Sequence, residues 1–360
     1  MDLSERHAAL LPGHYFLDAD LERVRAYLVA QGVLRGGGLL RRGDGIKLIQ
    51  VLGGGNMNRV QRVVLAKADR RYGGSVVVKQ ARPWVEKYPQ IEAPVERARA
   101  EAKYFQLVGL VPELAQHAPA LIHHDGGNHV LVLEDLGEGS DLQSLYTGGD
   151  LRERLGDGRT ILETVVAYLS RLHVHFRENP PARALVNKAM RALNHEHVFA
   201  LPFRKDNGLD LEAYAPGLTA AAAATVDEVL RKRIRRLGER YLDPRGGGTL
   251  LHGDFYPGSW LVNREAEGGA ALYVIDPEFS FTGPPEWDFG VLAAHLHLSG
   301  HADAVTEARA LYAGPLDEGL WRGFAGTEIL RRLLGVAQLP LGADADRGAL
   351  LAVGRGLVLG

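Results

Sequence analysis

The sequence predicts an α+β fold of two lobes, a small N-terminal lobe built on a β-sheet and a larger helical C-terminal lobe. Three observations carry this. Short β-favouring runs separated by glycine fill the chain as far as residue 136. Past Gly149 the apolar residues recur at helical spacing instead. Strands that come first and helices that come later mark an α+β chain, not an alternating one. The boundary is therefore placed between residues 1–136 and 137–360.

Taken in order, Asp18 reads as the N-cap of an amphipathic helix carrying Leu21, Val24, Tyr27 and Leu28, with Gly36-Gly37-Gly38 as its stop. Residues 46–52, the turn Gly53-Gly54-Gly55-Asn56-Met57-Asn58 and residues 60–65 read as strand, glycine-rich turn and strand. A third strand follows at 75–79. Residues 94–110 read as a helix: Pro94 sits where a first turn tolerates proline, and Ala98, Ala102, Phe105 and Val108 repeat at helical spacing. Two further strands, 120–123 and 129–133, lead into Glu134-Asp135-Leu136. In the second part, Ile161, Leu162, Val165, Val166, Leu169 and Leu172 mark one amphipathic helix, and residues 226–237 another. The alanine run 220–224 is helix-compatible, and short β runs at 261–263 and 272–275 flank a turn.

Composition narrows the function. With 360 residues, 46% of them hydrophobic and 24% charged, the chain can bury a substantial core. Lys and Arg number 42 against 44 Asp and Glu, so no global positive field draws it to nucleic acid or an anionic membrane, and any anion site is local. Cysteine is absent, which excludes disulfides, thiolate metal sites and a cysteine nucleophile. The first six residues include acids and lack the apolar run of a signal peptide, and no stretch has the length of a membrane-spanning helix. The expected location is the cytoplasm.

The chemistry concentrates in His252-Gly253-Asp254-Phe255-Tyr256-Pro257-Gly258-Ser259 and, further on, Val274-Ile275-Asp276-Pro277-Glu278. Phosphoryl transfer needs one carboxylate to orient the attacking hydroxyl and accept its proton, and other oxygen ligands to hold Mg²⁺ against the phosphates. Asp254 is assigned as the base, Asp276 as the principal metal ligand and Glu278 as a second. Either motif alone is as readily an ordinary turn. As a pair they are harder to dismiss, since each follows an apolar run that would anchor it. Upstream, the glycine turn can bring backbone amides to phosphate oxygens, although it lacks the Gly-Lys-Ser/Thr ending and the following helix of a P-loop. Lys79 ends an apolar strand and Glu101 lies on the next helix, so the lysine can contact phosphates while the glutamate holds it. Each is equally a surface residue when taken singly.

Glycine turn, strand lysine, helix glutamate, Glu134-Asp135-Leu136, HGD and DPE occur in the order that a bilobal kinase requires. In these residues the chain resembles the protein-kinase-like superfamily of small-molecule kinases, which contains the aminoglycoside and choline kinases. Within it the likeness is closest to the methylthioribose kinases, over residues 20–340. The matching motifs are Gly55-Asn56-Met57-Asn58, Val78-Lys79-Gln80, Arg97-Ala98-Arg99-Ala100-Glu101 and a hinge at Glu134-Asp135-Leu136. Ser259, Asp276-Pro277-Glu278 with Phe279 and Gly283-Pro284, and Arg331-Arg332 in a late helix favour the methylthioribose branch. Phe255-Tyr256 and Pro257 depart from the Leu-His and Thr usual there, at the border of the acceptor pocket.

The resemblance implies an ATP- and Mg²⁺-dependent kinase of the anomeric hydroxyl of 5-methylthioribose, in methionine salvage, with a homodimer as a possible assembly. It places Gly55, Asn56, Asn58, Lys79, Glu101, Glu134 and Leu136 at the nucleotide, and Arg331 and Arg332 beside Asp254 at the sugar. A paired arginine repels a cationic aminoglycoside and stabilises a sugar acquiring phosphate; without the resemblance the pair reads as a solvated helix face. The alternatives are a kinase of another sugar, amino alcohol or aminoglycoside, and a regulatory pseudokinase. Of the fourteen histidines none forms an HExxH motif, and His295 and His297, two apart on a helix, point about 200° from each other. They are expected in core or surface roles, with His252 fixing the catalytic loop.

Overall fold

The computed structural model describes residues 2–33, 45–53, 57–69, 73–243 and 248–360. The chain divides into two compact units, Met1–Gly137 and Glu138–Gly360.

The first unit contains α1 (Leu3–Leu10), α2 (Leu21–Ala30), β1 (Ile46–Val51), β2 (Asn58–Asp69), β3 (Gly73–Ala81), β4 (Trp84–Val85), β5 (Tyr88–Glu92), α3 (Arg97–Val108), α4 (Pro112–Ala115), β6 (Leu121–Asp125) and β7 (Val130–Glu134). Five of the strands form an antiparallel sheet in the order β1-β2-β3-β7-β6. Its valine-rich strands suit a pleated, buried surface. Because side chains alternate across a strand, Val76 and Val78 of β3 point one way, into a core with Val24, Tyr27 and Leu28 of α2. Lys79 then points to the other face, where α3 packs on β3, β6 and β7. Alternation along one strand thus aims the lysine at the helix carrying Glu101.

Several details differ from the sequence reading, among them that α1 and α4 were not read as helices. The cap of α2 is Asp20, whose carboxylate accepts the Arg23 N–H at 2.9 Å; Asp18 lies two residues too early and pairs instead with the Arg23 guanidinium. Helix α3 begins at Arg97, three residues after Pro94, whose carbonyl accepts from Arg97. The small β4-β5 hairpin was not read as strand. Gly36-Gly37-Gly38 lies outside the described residues.

The second unit contains β8 (Ser140–Asp141), α5 (Ile161–Glu178), α6 (Lys188–His195), α7 (Leu218–Thr225), α8 (Glu228–Leu242), β9 (Thr249–Leu251), β10 (Trp260–Asn263), β11 (Ala271–Val274), β12 (Phe281–Gly283), α9 (Glu286–Leu298), α10 (Ala304–Leu311), α11 (Glu318–Leu334) and α12 (Arg347–Leu359). Its strands make two small sheets, β8-β10-β11 and β9-β12. Helix α9 is apolar and buried nearly all round, as expected of a helix at the centre of a unit. It packs along α11, which packs in turn on α12. Its two buried polar residues, Asp288 and His295, are seven positions apart and so share one face. No helix among the described residues is long and apolar enough to cross a membrane.

Candidate active site

In the first unit, Lys79 Nζ donates to Glu101 Oε1 at 2.8 Å, and both residues are buried, at 3% and 1% exposure. Burial makes this a fixed pair and excludes the strand-end snorkelling that the sequence left open. One helical turn before Glu101, the fully buried Arg97 donates to the Asn58 side chain at 3.0 Å and to the Met57 carbonyl at 2.8 Å. The strand that follows the glycine turn is thereby fastened to the helix that holds Glu101. Gly55 and Asn56 lie outside the described residues. At the expected hinge, the Glu134 carboxylate accepts the Ala120 N–H at 3.0 Å. Asp135 is the residue that locks the segment, taking Arg62 Nε at 2.6 Å, Ser75 Oγ at 2.6 Å and the Gly137 N–H at 3.0 Å. Leu136 follows it.

In the second unit the stretch 252–254 is held by α9. Asp288 accepts the backbone N–H of His252 at 2.7 Å and that of Gly253 at 2.9 Å, and the Trp287 indole donates to the Gly253 carbonyl at 2.9 Å. His173 also reaches Asp288, at 3.2 Å. Gly253 adopts φ 91°, and a Cβ there would lie 2.2 Å from the Phe279 carbonyl oxygen, so only glycine fits. Ser259 Oγ donates to the Asp254 carbonyl at 2.9 Å, closing the loop from the far side.

The loop bearing Asp276 and Glu278 is fastened to this one. His252 Nε2 donates to the Ile275 carbonyl at 3.0 Å, and the Ile275 N–H donates to the Ser259 carbonyl at 3.0 Å. Burial holds the His252 imidazole below its usual pKa, and thus neutral, with one donor and one acceptor nitrogen. This is the loop-fixing role expected of His252. Asp276 itself is left-handed, at φ 61°, a conformation that aspartate tolerates better than bulkier residues. Asn187 clamps the following turn by donating to the carbonyls of Glu278 at 2.9 Å and Ser280 at 3.0 Å.

Arg331 and Arg332 are buried, at 7% and 6% exposure, which rules out the solvated helix face. Their Nη2 atoms lie 3.9 and 3.5 Å from Asp254 Oδ1. Their Nε atoms donate to Glu328 at 2.7 and 2.8 Å, three and four residues earlier on the same face of α11. Burial alone would raise Glu328, but the two guanidinium groups and the His295 hydrogen bond together hold it well below the usual carboxylate range. Asp254 is raised: its burial outweighs Arg332 and then Arg331, both of which favour the charged form. The Tyr256 ring lies 4.8 Å from the Arg332 guanidinium carbon and covers it.

The structure therefore brings Asp254, Arg331 and Arg332 together, fastens the Asp276 loop to the Asp254 loop, and pairs Lys79 with Glu101. Asp288, Glu328, Tyr146 and His295 were not singled out as site residues, and Tyr256 only as bordering the acceptor pocket. Glu328 was findable as an acid with arginines at i+3 and i+4 on one helix. Asp288 shows in the sequence only as a lone acid entering an apolar helix.

A loop bolted to α9 beside a carboxylate–arginine cluster in one unit, and a sheet-borne Lys–Glu pair in the other, are the arrangement expected of a phosphotransferase with a protein-kinase-like fold. The model of the APH phosphotransferase enzyme family matches residues 49–326, and the chain belongs to that family. Among similar proteins, the methylthioribose kinase of Geobacillus sp. (strain WCH70) is 26% identical over 82% of this chain and 79% of its own length. Methylthioribose kinase 1 of Oryza sativa subsp. japonica is 30% identical over 73% of this chain and 60% of its own. The choline kinase LicA from Streptococcus pneumoniae shares the fold at TM-score 0.50 and 13% identity, covering 94% of this chain and 99% of that one. Spectinomycin phosphotransferase APH(9)-Ia, in complex with ADP and spectinomycin, does so at TM-score 0.50 and 13% identity over 93% and 97%. The enzyme is a kinase, and its fold is the α+β protein-kinase-like one.

Proposed function

We propose that the chain is an ATP-dependent sugar kinase that transfers the γ-phosphoryl group to the anomeric hydroxyl of 5-methylthioribose, with Asp254 as base. The observation that carries this is the Asp254 carboxylate facing two buried guanidinium groups at 3.5 and 3.9 Å. Asp254 accepts the hydroxyl proton as the acceptor oxygen bonds to the γ-phosphorus, the bond from that phosphorus to the bridging oxygen breaks, and ADP leaves. Arg331 and Arg332 carry two positive charges against the two negative charges of Glu328 and Asp254. Once Asp254 is protonated, the cluster becomes net positive as phosphate arrives on the sugar, which stabilises the product anion. A balanced resting cluster gives a polycationic amino sugar no net attraction.

Lys79, oriented by Glu101, is assigned to the α and β phosphates, with Gly55, Asn56, Asn58, Glu134 and Leu136 as further nucleotide contacts. Asp276 and Glu278 would hold Mg²⁺. The donor set suits it, since hard carboxylate oxygens are what the ion prefers. Bound there, Mg²⁺ would neutralise phosphate charge during the transfer.

A second reading, a kinase of another sugar, draws on Tyr256. Its ring against Arg332 occupies the position where the methylthioribose kinases usually carry histidine. Measuring ADP formation with MgATP against 5-methylthioribose, other pentoses, choline and aminoglycosides separates the readings. The expected result is highest kcat/KM with 5-methylthioribose. Preference for choline or an aminoglycoside overturns the sugar assignment, and turnover of none overturns the function.

The base assignment also fixes a pH response. Asp254 works deprotonated, so the rate falls as pH drops through its pKa. Arg332 favours the charged form, and Arg332→Met removes that influence. The acid limb of kcat/KM is therefore expected to move to higher pH in Arg332→Met, as read from a pH–rate profile; an unmoved limb removes Asp254 as the titrating base.

A further inference from the structure

Helix α9 touches both halves of the catalytic cluster. Near its N-terminus Asp288 holds the loop that bears Asp254; seven residues on, His295 reaches Glu328, the carboxylate that holds the arginine pair. His295 is 1% exposed, and both its ring nitrogens are engaged. Nε2 lies 3.1 Å from Glu328 Oε1, and Nδ1 lies 2.5 Å from the Tyr146 hydroxyl. Glu328 is ionised and only accepts, so Nε2 carries the proton and donates; Nδ1 then accepts from Tyr146.

We propose that His295, seated by Tyr146, is a positioning residue that orients Glu328 and through it aims Arg331 and Arg332 at the acceptor site beside Asp254. The proposal rests on Asp254 being the base. Glu328 has two oxygens and three donors: Oε2 takes Arg331 Nε, while Oε1 takes both Arg332 Nε and His295 Nε2. Without the His295 donor the carboxylate keeps only the two arginines of its own helix, and its terminal torsion, a broad one, loses the restraint that comes from α9. Both arginines are tied to it by Nε, so any rotation swings their Nη ends, the only ends facing Asp254. The same histidine supports the cluster from a second side, because the Tyr256 ring that covers Arg332 lies 5.1 Å from the imidazole ring.

The imidazole is suited to this part. Burial lowers its pKa to about 4, so it stays neutral near pH 7 and leaves the charge balance of the cluster unchanged. It supplies direction without charge, which a lysine or arginine in its place would not.

The test compares His295→Leu, His295→Gln and Tyr146→Phe, with Asp254→Asn in parallel, in full-length protein with MgATP and 5-methylthioribose, or with the pentose turned over fastest if that sugar is not a substrate. Glutamine restores an N–H donor towards Glu328; leucine does not. His295→Leu is expected to lower kcat about 100-fold, the scale of a roughly 1 Å misplacement, with the KM for ATP within about twofold of wild type. His295→Gln is expected to recover most of that loss. Tyr146→Phe, which deletes one hydroxyl and keeps the ring, is expected to fall between them and remains informative if the leucine variant does not fold. The proposal is overturned if Tyr146→Phe and His295→Leu lose thermal stability but keep kcat, or if His295→Gln is as impaired as His295→Leu. If Asp254→Asn retains turnover, the base assignment fails instead.

Discussion

Asp254→Asn is expected to lower kcat by about 10³-fold, within the range of general-base contributions, while the KM for ATP stays near the wild-type value. Asparagine keeps the size of the side chain and its backbone setting, so the loop between Asp288 and Ser259 is preserved. What it loses is the proton-accepting oxygen and one negative charge facing Arg331 and Arg332. The nucleotide residues assigned in the first unit are untouched, so the loss should fall on turnover. Steady-state kinetics with ATP and the best acceptor of the screen reads both constants. Unchanged turnover with normal ATP binding would remove Asp254 from the mechanism and, with it, the case for the arginine pair as its partner.

Asp288→Ala is expected to be the most destabilising single change at the site, by roughly 3–5 kcal/mol. The carboxylate has no exposed surface and accepts two backbone N–H groups, from His252 and Gly253, as well as His173. Alanine leaves all three donors buried without an acceptor, and each orphaned donor costs about 1–3 kcal/mol, partly recovered by relaxation. Asp288→Asn, which retains one acceptor oxygen, should lose about half as much. Denaturant titration at constant slope measures the difference. A loss below about 1 kcal/mol for the alanine variant would mean that the loop is held chiefly by its other contacts.

Much of the site was legible because its residues sit at fixed places in local patterns. Lys79 ends an alternating strand and Glu101 follows a helical repeat, so their burial together follows from periods of two and 3.6. Asp254 and Asp276 lie in short loops after apolar runs, where backbone hydrogen bonding confines polar chemistry. Strands β1, β2, β3, β6, β7, β10 and β11 were placed within a few residues for the same reason, whereas the short β4, β5, β8, β9 and β12 were not read. What periodicity does not carry is the identity of partners that are distant in sequence. Asp288 meets His252 across 36 positions and His295 meets Tyr146 across 149, and each looks like an isolated polar residue in an apolar helix until α9 is placed. The α2 cap was misread by two residues because Asp18 and Asp20 are chemically equivalent candidates, and only the helix start distinguishes them.

The missing side chain at residue 253 has a consequence for ligands. With no room for even a methyl group against Phe279, and with His252 joined to Ile275, the two acidic turns move as one piece or not at all. The backbone positions of Asp254 and Asp276 are thus set when the chain folds, not when a ligand arrives. An acceptor of unusual bulk therefore meets little give in the backbone of these turns and has to be accommodated by side chains, Tyr256 first among them. Changing the range of alcohols phosphorylated is therefore a matter of exchanging the Tyr256 and arginine side chains, with the backbone of both acidic turns left as it is.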